Sequence, residues 1–530
     1  MPDTKWWQKA VIYQVYPRSF QDSNGDGVGD LRGITQRLPY LADLGVCAIW
    51  LSPIFTSPME DFGYDITDYR GIDPLFGTMA EFDELVARAH QLDLRVLLDL
   101  VPNHTSSLHP WFVESRASRS NPKRDWYIWR DPAPGGGVPN NWLSEFGGSA
   151  WAFDEASGQY YYHAFLPSQP DLNWRNPAVR RAMHDVMRFW LAKGVDGFRI
   201  DVLWHLIKDD QFRDNPPNPE YRDGQPAHWR VLPLYTTDRP EVHQVVAGFR
   251  SVADEFADRL LLGEIYLPPK RLVAYYGKDL EGVHLPFNFG LLETDWHARK
   301  LARLIDEYET ALPSGSWPNW VLGNHDRPRI ASRVGAAQTR VAAMLLLTLR
   351  GTPTIYYGDE IGLCNIEVPP EHVCDPLGKT SPAQGRDGAR GPMRWDESIH
   401  GGFSIAPPWC YCPEPANDAT VEAEAGEPAS LLNLYKRLIA ARREQSALAL
   451  GAYHPMVATG DILLFSRSNP GSPSLLVALN LGNQPAAVVL NDKRMRGRVI
   501  VSAFADREDE PIADDIDLRP DEGLVVRLEQ

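Results

Sequence analysis

Short apolar runs and segments of helical period alternate along most of this chain. The apolar runs are AVIYQVYP (10–17), CAIWLSP (47–53), RVLLDLVPNH (95–104), GFRID (197–201), LLLGEIY (260–266), GVHLPFNF (282–289), WVLGNHD (320–326) and TPTIYYGDE (352–360). Between them lie amphipathic stretches such as EFDELVARAHQLD, AVRRAMHDVMRFWLAKG and TRVAAMLLLTLRG, several ending in the glycine that a helix C-terminus favours. Eight strands alternating with helices predict an α/β fold, a (β/α)8 TIM barrel, with an open doubly wound sheet as the alternative.

Two excursions interrupt the alternation. Residues 105–170 are rich in Pro, Gly, Asn and Trp and lack a long helical period, which predicts a small inserted domain after the third strand. Residues 363–428, full of Pro and Gly, predict a long functional loop over the barrel mouth. Beyond the helical stretch SLLNLYKRLIAARREQ the period shortens. DILLFSRS, SLLVALNL, AAVVLN, GRVIVSAF and GLVVRL then predict a C-terminal antiparallel β-sandwich. The expected domains are therefore a barrel at 1–104 and 171–449, an insert at 105–170 and a sandwich at 450–530.

Composition narrows the function. A net charge of −17 with no Lys/Arg block excludes a nucleic-acid partner, because phosphate binding needs a basic face. The five cysteines (Cys47, Cys364, Cys374, Cys410, Cys412) form no C-x-x-C pair, so neither a zinc site nor a disulfide framework is expected. No secretory leader is visible at the start of the sequence, and the longest apolar stretch, VAAMLLLTL, is too short to cross a bilayer. A cytoplasmic protein, monomeric or a small homo-oligomer, without membrane contact is expected.

In a barrel the C-terminal ends of the strands carry the chemistry, and charged residues collect there. The third strand ends in Asn103 and His104, the fourth in Arg199 and Asp201, the fifth at Glu264, and the seventh in Asn324, His325 and Asp326. Side chains alternate along a strand, so Arg199 and Asp201 share a face while Phe198 and Ile200 take the other. Such a rim suits acetal cleavage, which needs one carboxylic acid to protonate the leaving oxygen and a second carboxylate or a held water to attack. Arg199 should keep Asp201 ionised, as a nucleophile requires. Glu264, facing other anions, should hold its proton as a general acid, and Asp326 would add negative charge beside a cationic transition state.

DLVPNH (99–104), GFRID (197–201), LGEIY (262–266) and VLGNHD (321–326) resemble, in order and spacing, the four core segments of glycoside hydrolase family 13, the α-amylase superfamily. QPDLNW (169–174) resembles the segment marking its α-glucosidase and oligo-1,6-glucosidase branch. The resemblance implies Asp201 as nucleophile, Glu264 as acid/base and Asp326 as transition-state stabiliser in a retaining double displacement, with the Asp201 and Glu264 carboxyls about 5 to 5.5 Å apart. It implies that Asp61, Tyr64, His104, Arg199 and His325 seat the reacting glucosyl ring, that Arg390 pairs with Asp61 to close the pocket's blind end, and that Phe165 is a stacking residue. A closed pocket implies exo action on small α-glucosides or oligosaccharides. Gly391 and Arg394 stand where the family commonly has Thr and Gln, and Val202 is similar to the residue of members that tolerate α-1,6 linkages.

The stretch DSNGDGVGD (22–30) offers the oxygens of Asp22, Asn24, Asp26 and Asp30, a hard array suited to a structural Ca²⁺ or Mg²⁺, although Gly33 stands where an EF-hand needs its bidentate Glu. The family resemblance adds the Val28 carbonyl. An ion-free Asp/Asn/Gly turn is the alternative, and no organic cofactor is expected. A dedicated α-glucosyltransferase or sugar isomerase would use the same carboxylates. A non-catalytic, transport-associated relative should lack part of the trio, and this chain lacks none of it.

Overall fold

The computed structural model describes residues 4–413, 419–490, 495–513 and 515–529. Eight strands form one parallel sheet: β1 (Ile12–Val15), β2 (Ala48–Leu51), β3 (Arg95–Leu100), β4 (Gly197–Ile200), β5 (Leu260–Ile265), β6 (Leu285–Asn288), β7 (Asn319–Val321) and β8 (Thr352–Tyr356). Their order is β6-β5-β4-β3-β2-β1-β8-β7, and β6 and β7 lie side by side where the barrel closes. This is the TIM barrel that the alternation predicts, and an open sheet is ruled out.

The period-2 pattern separates two apolar layers. Ile12, Trp50, Leu97, Leu262 and Phe287 point into the barrel. Tyr13, Ile49, Val96, Phe198 and Ile200 point outward into the larger core beneath the helices. Arg199 is therefore the inward side chain between two outward ones, as alternation along β4 requires.

Local signals start and stop the surrounding helices. In α1 (Leu31–Leu44) the Asp30 side chain accepts the Gly33 N–H, and Gly45 ends the helix at φ 96°. Thr78 and Glu81 cap α2 (Met79–Gln91) reciprocally. Asn176 followed by a first-turn proline opens α3 (Pro177–Ala192). Within 105–170 a three-stranded antiparallel sheet is built from Trp129–Arg130, Gln159–Tyr162 and Trp151–Asp154.

The C-terminal part contains a six-stranded sheet that includes Ile462–Ser468, Leu475–Asn480, Gly497–Ser502 and Gly523–Leu528, and a separate ladder of Ala486–Val489 with Asp515–Leu518. Leu464, Leu476 and Val526 of the first pack with Val488, Ile516 and Leu518 of the second. The strand Ala452–Thr459 is not marked by the sequence pattern. It carries Pro455 and no buried residue, as suits one end of the sheet order. Among the described residues no helix is long and apolar enough to cross a membrane.

Candidate active site

Register gathers the charges. Asp99 on β3 pairs with Arg199 on β4, and Leu262 on β5 pairs with Arg199 from the other side. The Asp99 carboxylate and Arg199 thus meet inside the barrel at 2.8 Å. Arg199 also contacts Asp201 at 2.7 Å and Glu264 at 2.7 Å, while its guanidinium lies over the Trp50 ring. One cation serves three carboxylates, and all four side chains are buried.

The charge balance decides the protonation. Burial pushes Asp201 well up against the pull of Arg199, and the charges of Glu264, Asp99 and Asp326 add to the rise. Burial likewise raises Glu264 and lifts Asp99 to about 7, with Arg199 opposing. Arg199 pulls Asp201 toward the ionised form, as the sequence suggests, but the same guanidinium is shared with Asp99 and Glu264, so its pull is opposed by burial and by the neighbouring carboxylates.

Just after β4 the backbone is strained. Val202 adopts φ 37° and ψ 46°, a left-handed conformation rare for a β-branched residue. That twist aims its N–H at Glu264 Oε2, 2.8 Å away. A strained backbone thereby fixes one carboxylate relative to the other.

Asp326 is different. Burial would raise it, but His325, Arg386 and Arg390 hold it far below the usual carboxylate range. Arg390 Nη2 donates to it at 3.0 Å and Arg386 Nη1 at 3.3 Å. His325 is itself pushed down to about 3 by burial, so it carries charge only in acid, and at neutral pH Arg386 and Arg390 supply the positive charge beside Asp326. Its Nε2 meets the Tyr64 hydroxyl at 2.8 Å, its Nδ1 meets Gln14 at 2.8 Å, and its ring stacks on Tyr64. His104 is also lowered by burial and lies 3.1 Å from the Tyr64 carbonyl oxygen.

Asp61, Tyr64, His104, Phe165, Asp201, Glu264 and Asp326 line one cavity of about 520 Å³. Phe165 packs at a tilt against His104 and His205 at its wall. Arg199, His325 and Arg390 stand immediately behind the lining residues. One sequence expectation fails here. The arginine that pairs with Asp61 is Arg386, at 2.8 Å, which also binds Asp375 at 2.7 Å. Arg390, four residues on, turns inward to Asp326 and the His325 carbonyl oxygen instead. A short 3-10 turn, Asp387–Arg390, separates the two arginines; both reach Asp326, and only Arg386 also reaches Asp61 and Asp375.

Sequence reasoning also missed Gln169, whose Nε2 bridges Asp61 at 3.0 Å and His104 at 3.2 Å. It missed buried Lys208, which binds Asn103 at 2.8 Å and ion-pairs with Asp171. Gln169 opens the quoted segment QPDLNW, and only its position there could have signalled it.

Loop 22–30 is a run of Asx turns. Asp22 accepts the N–H groups of Asn24, Gly25 and Gly27, Asn24 accepts that of Asp26, and Asp26 that of Val28. Asp30 is committed to Ser23 and the α1 N-terminus. The donor chemistry is all oxygen and fits a hard cation, but among the described residues no group of three or more His, Cys, Asp or Glu is arranged to hold a metal.

Residues 14–451 match the α-amylase catalytic domain. The chain belongs to the α-amylase family, glycoside hydrolase family 13. It is 44% identical over 528 residues to a probable α-glucosidase of Rhizobium meliloti, covering 96% of this chain and 95% of that protein. It is 36% identical to an oligo-1,6-glucosidase of Parageobacillus thermoglucosidasius, covering 99% of each. Among solved members of the family, an α-glucosyl transfer enzyme superposes with a TM-score of 0.93 at 39% identity, covering 99% of this chain and 100% of that one.

Proposed function

We propose that this glycoside hydrolase is an exo-acting, retaining α-glucosidase that releases the non-reducing terminal glucose of short α-glucosides. The observation that carries the reading is the bridge by which Arg386 ties Asp61 to Asp326 in the wall of the cavity that Asp201 and Glu264 also line, and which in this reading closes one end of it. A terminal ring fits against that bridge, whereas an internal ring of a polymer would have to pass through it.

In this reading Glu264 gives its proton to the glycosidic oxygen as Asp201 attacks the anomeric carbon, so the C–O bond to the leaving sugar breaks and a glucosyl ester forms on Asp201. Glu264, now a carboxylate, takes a proton from water, whose oxygen attacks the same carbon and frees Asp201. Both carboxylates sit 2.7 Å from the one Arg199 guanidinium, a closeness that supports direct attack by Asp201. Asp326, kept anionic, faces the cationic transition state. Tyr64, His104, His325 and Phe165 seat the ring.

A dedicated glucosyltransferase is the second reading, favoured by the close superposition on an α-glucosyl transfer enzyme. It differs only in which hydroxyl reaches the ester. One experiment tests both. Maltose, isomaltose and sucrose are incubated with wild type and Asp201→Asn, and products are resolved over time. Free glucose released first as the α-anomer, with turnover lost in the variant, supports the hydrolase. Transfer products without free glucose would favour the second reading, and a fully active Asp201→Asn would overturn both.

We further propose that loop 22–30 binds Ca²⁺, or Mg²⁺, as a structural ion through Asp22, Asn24, Asp26, the Val28 carbonyl and Asp30. The oxygen-only donor set supports this. A cytoplasmic location belongs to the same reading, supported by the unbridged thiols of Cys47, Cys364, Cys374 and Cys410.

A further inference from the structure

The cavity continues past the reacting carboxylates, between the insert and the segment that follows β4. There Glu145, from the insert, faces two histidines of segment 203–237. His228 Nε2 lies 3.2 Å from Glu145 Oε2, and His205 Nε2 lies 4.0 Å from Oε1. All three line the same cavity as Asp201 and Glu264. The Glu145 side chain is 34% exposed, against 8% for Asp201 and 4% for Glu264, so this cluster sits toward the mouth, on the leaving-group side.

Two observations make the cluster more than a patch of acid. His205 is buried, and its Nε2 turns toward the Glu145 carboxylate from the cavity wall. The guanidiniums lining the cavity are already committed. Arg386 serves Asp61 and Asp375, while Arg327 is 3.6 Å from Glu293 and lies over the Tyr266 ring. Among the described residues Glu145 makes no ion pair with Lys or Arg within 4 Å; the two histidines face its carboxylate, and Arg327 acts on it from farther away. Burial drives His205 well down, so its ring adds no charge, while burial raises Glu145 itself and His228 and Arg327 pull it back toward the ionised form.

We propose that Glu145, positioned by His228, is the specificity residue for the leaving sugar: its carboxylate accepts hydroxyls of an uncharged aglycone ring and rejects a ring that carries phosphate. The proposal rests on the α-glucosidase reading. A carboxylate can accept from two neighbouring hydroxyls at once. A phosphate about 6 Å from a carboxylate meets repulsion worth on the order of 100-fold in kcat/KM at the effective permittivity of a protein site.

Three substrates test this: maltose, p-nitrophenyl α-glucoside, whose aglycone offers no sugar hydroxyls, and maltose phosphorylated at C6 of its reducing ring. Wild type should prefer maltose to its phosphorylated form by on the order of 100-fold. In Glu145→Gln that gap should shrink to less than about 10-fold, because the charge is gone. The same variant should lose about 10-fold more kcat/KM on maltose than on the aryl glucoside, the loss appearing mainly in KM. His228→Asn, which loosens the carboxylate, should move both ratios in the same direction. Wild type cleaving both maltoses equally well would overturn the proposal without any variant, and so would variants that change all three substrates by one common factor. Wild type inert on maltose and on the aryl glucoside would instead overturn the α-glucosidase reading beneath it.

Discussion

Removing Arg386 should open the closed end of the cavity, and the structure sets the size of the effect. Its guanidinium bridges Asp61, Asp375 and Asp326 with the side chain only 10% exposed. Arg386→Ala leaves Asp61 facing the ring without its cation. Stripping the partner from a buried ion pair costs about 3 to 5 kcal/mol. The cavity admits water to Asp61, so about 2 to 3 kcal/mol is expected, or roughly a 30- to 150-fold fall in kcat/KM. Asp61 holds the ring before and during reaction, so the loss should fall mainly on KM. Arg390→Ala should behave otherwise. It frees Asp326 from its 3.0 Å partner, lets that carboxyl titrate higher, and should lower kcat. Steady-state kinetics on maltose for both variants separates them. Arg386→Ala within about threefold of wild type, or Arg390→Ala showing the KM effect instead, would refute the assignment of Arg386 to the blind end.

Stability should fall as pH rises through the range in which buried acids are forced to ionise. Burial raises Asp359 to about 7, with Arg329 opposing and Glu360 adding to the rise. The folded state thus keeps a proton that the unfolded chain releases near pH 4, so stability declines between about pH 4 and 7. Asp359→Asn should flatten that decline in chemical denaturation followed against pH, and an unchanged slope would show that Asp359 does not cause it. For loop 22–30, chelator-treated protein should gain melting temperature on adding Ca²⁺. No gain with Ca²⁺ or Mg²⁺ would remove the ion from the account.

The barrel was legible because period and punctuation agree. Eight short apolar runs separated by amphipathic segments leave few other folds, and alternation in GFRID put Arg199 and Asp201 on one face and Phe198 and Ile200 on the other, the former of which the structure turns inward. The carboxylate trio was legible for the same reason, since strand ends converge in a barrel whatever the loops do. The blind end was not. Arg386 and Arg390 lie four residues apart in one loop, and only the turn at Asp387–Arg390 decides which reaches Asp61. The protonation of Asp201 was also hidden, because sequence shows Arg199 beside Asp201 but not that Asp99 and Glu264 share the same guanidinium. Glu145 and His228, which line the cavity, and Gln169, which holds Asp61 and His104 from behind it, come from long irregular segments, where no periodicity fixes the direction of a side chain. Ala452–Thr459 escaped because Pro455 and a surface without buried residues erase the alternation that marks the other C-terminal strands.

The central claim is that Asp201 forms a covalent bond to glucose with Glu264 beside it. A 5-fluoro-α-glucosyl fluoride, which slows hydrolysis of the ester, followed by peptide mapping reads this most directly. The account predicts one sugar adduct, carried by the peptide containing Asp201 and absent from Asp201→Asn. An adduct on any other carboxylate, or catalysis that releases β-glucose with no adduct, would contradict it.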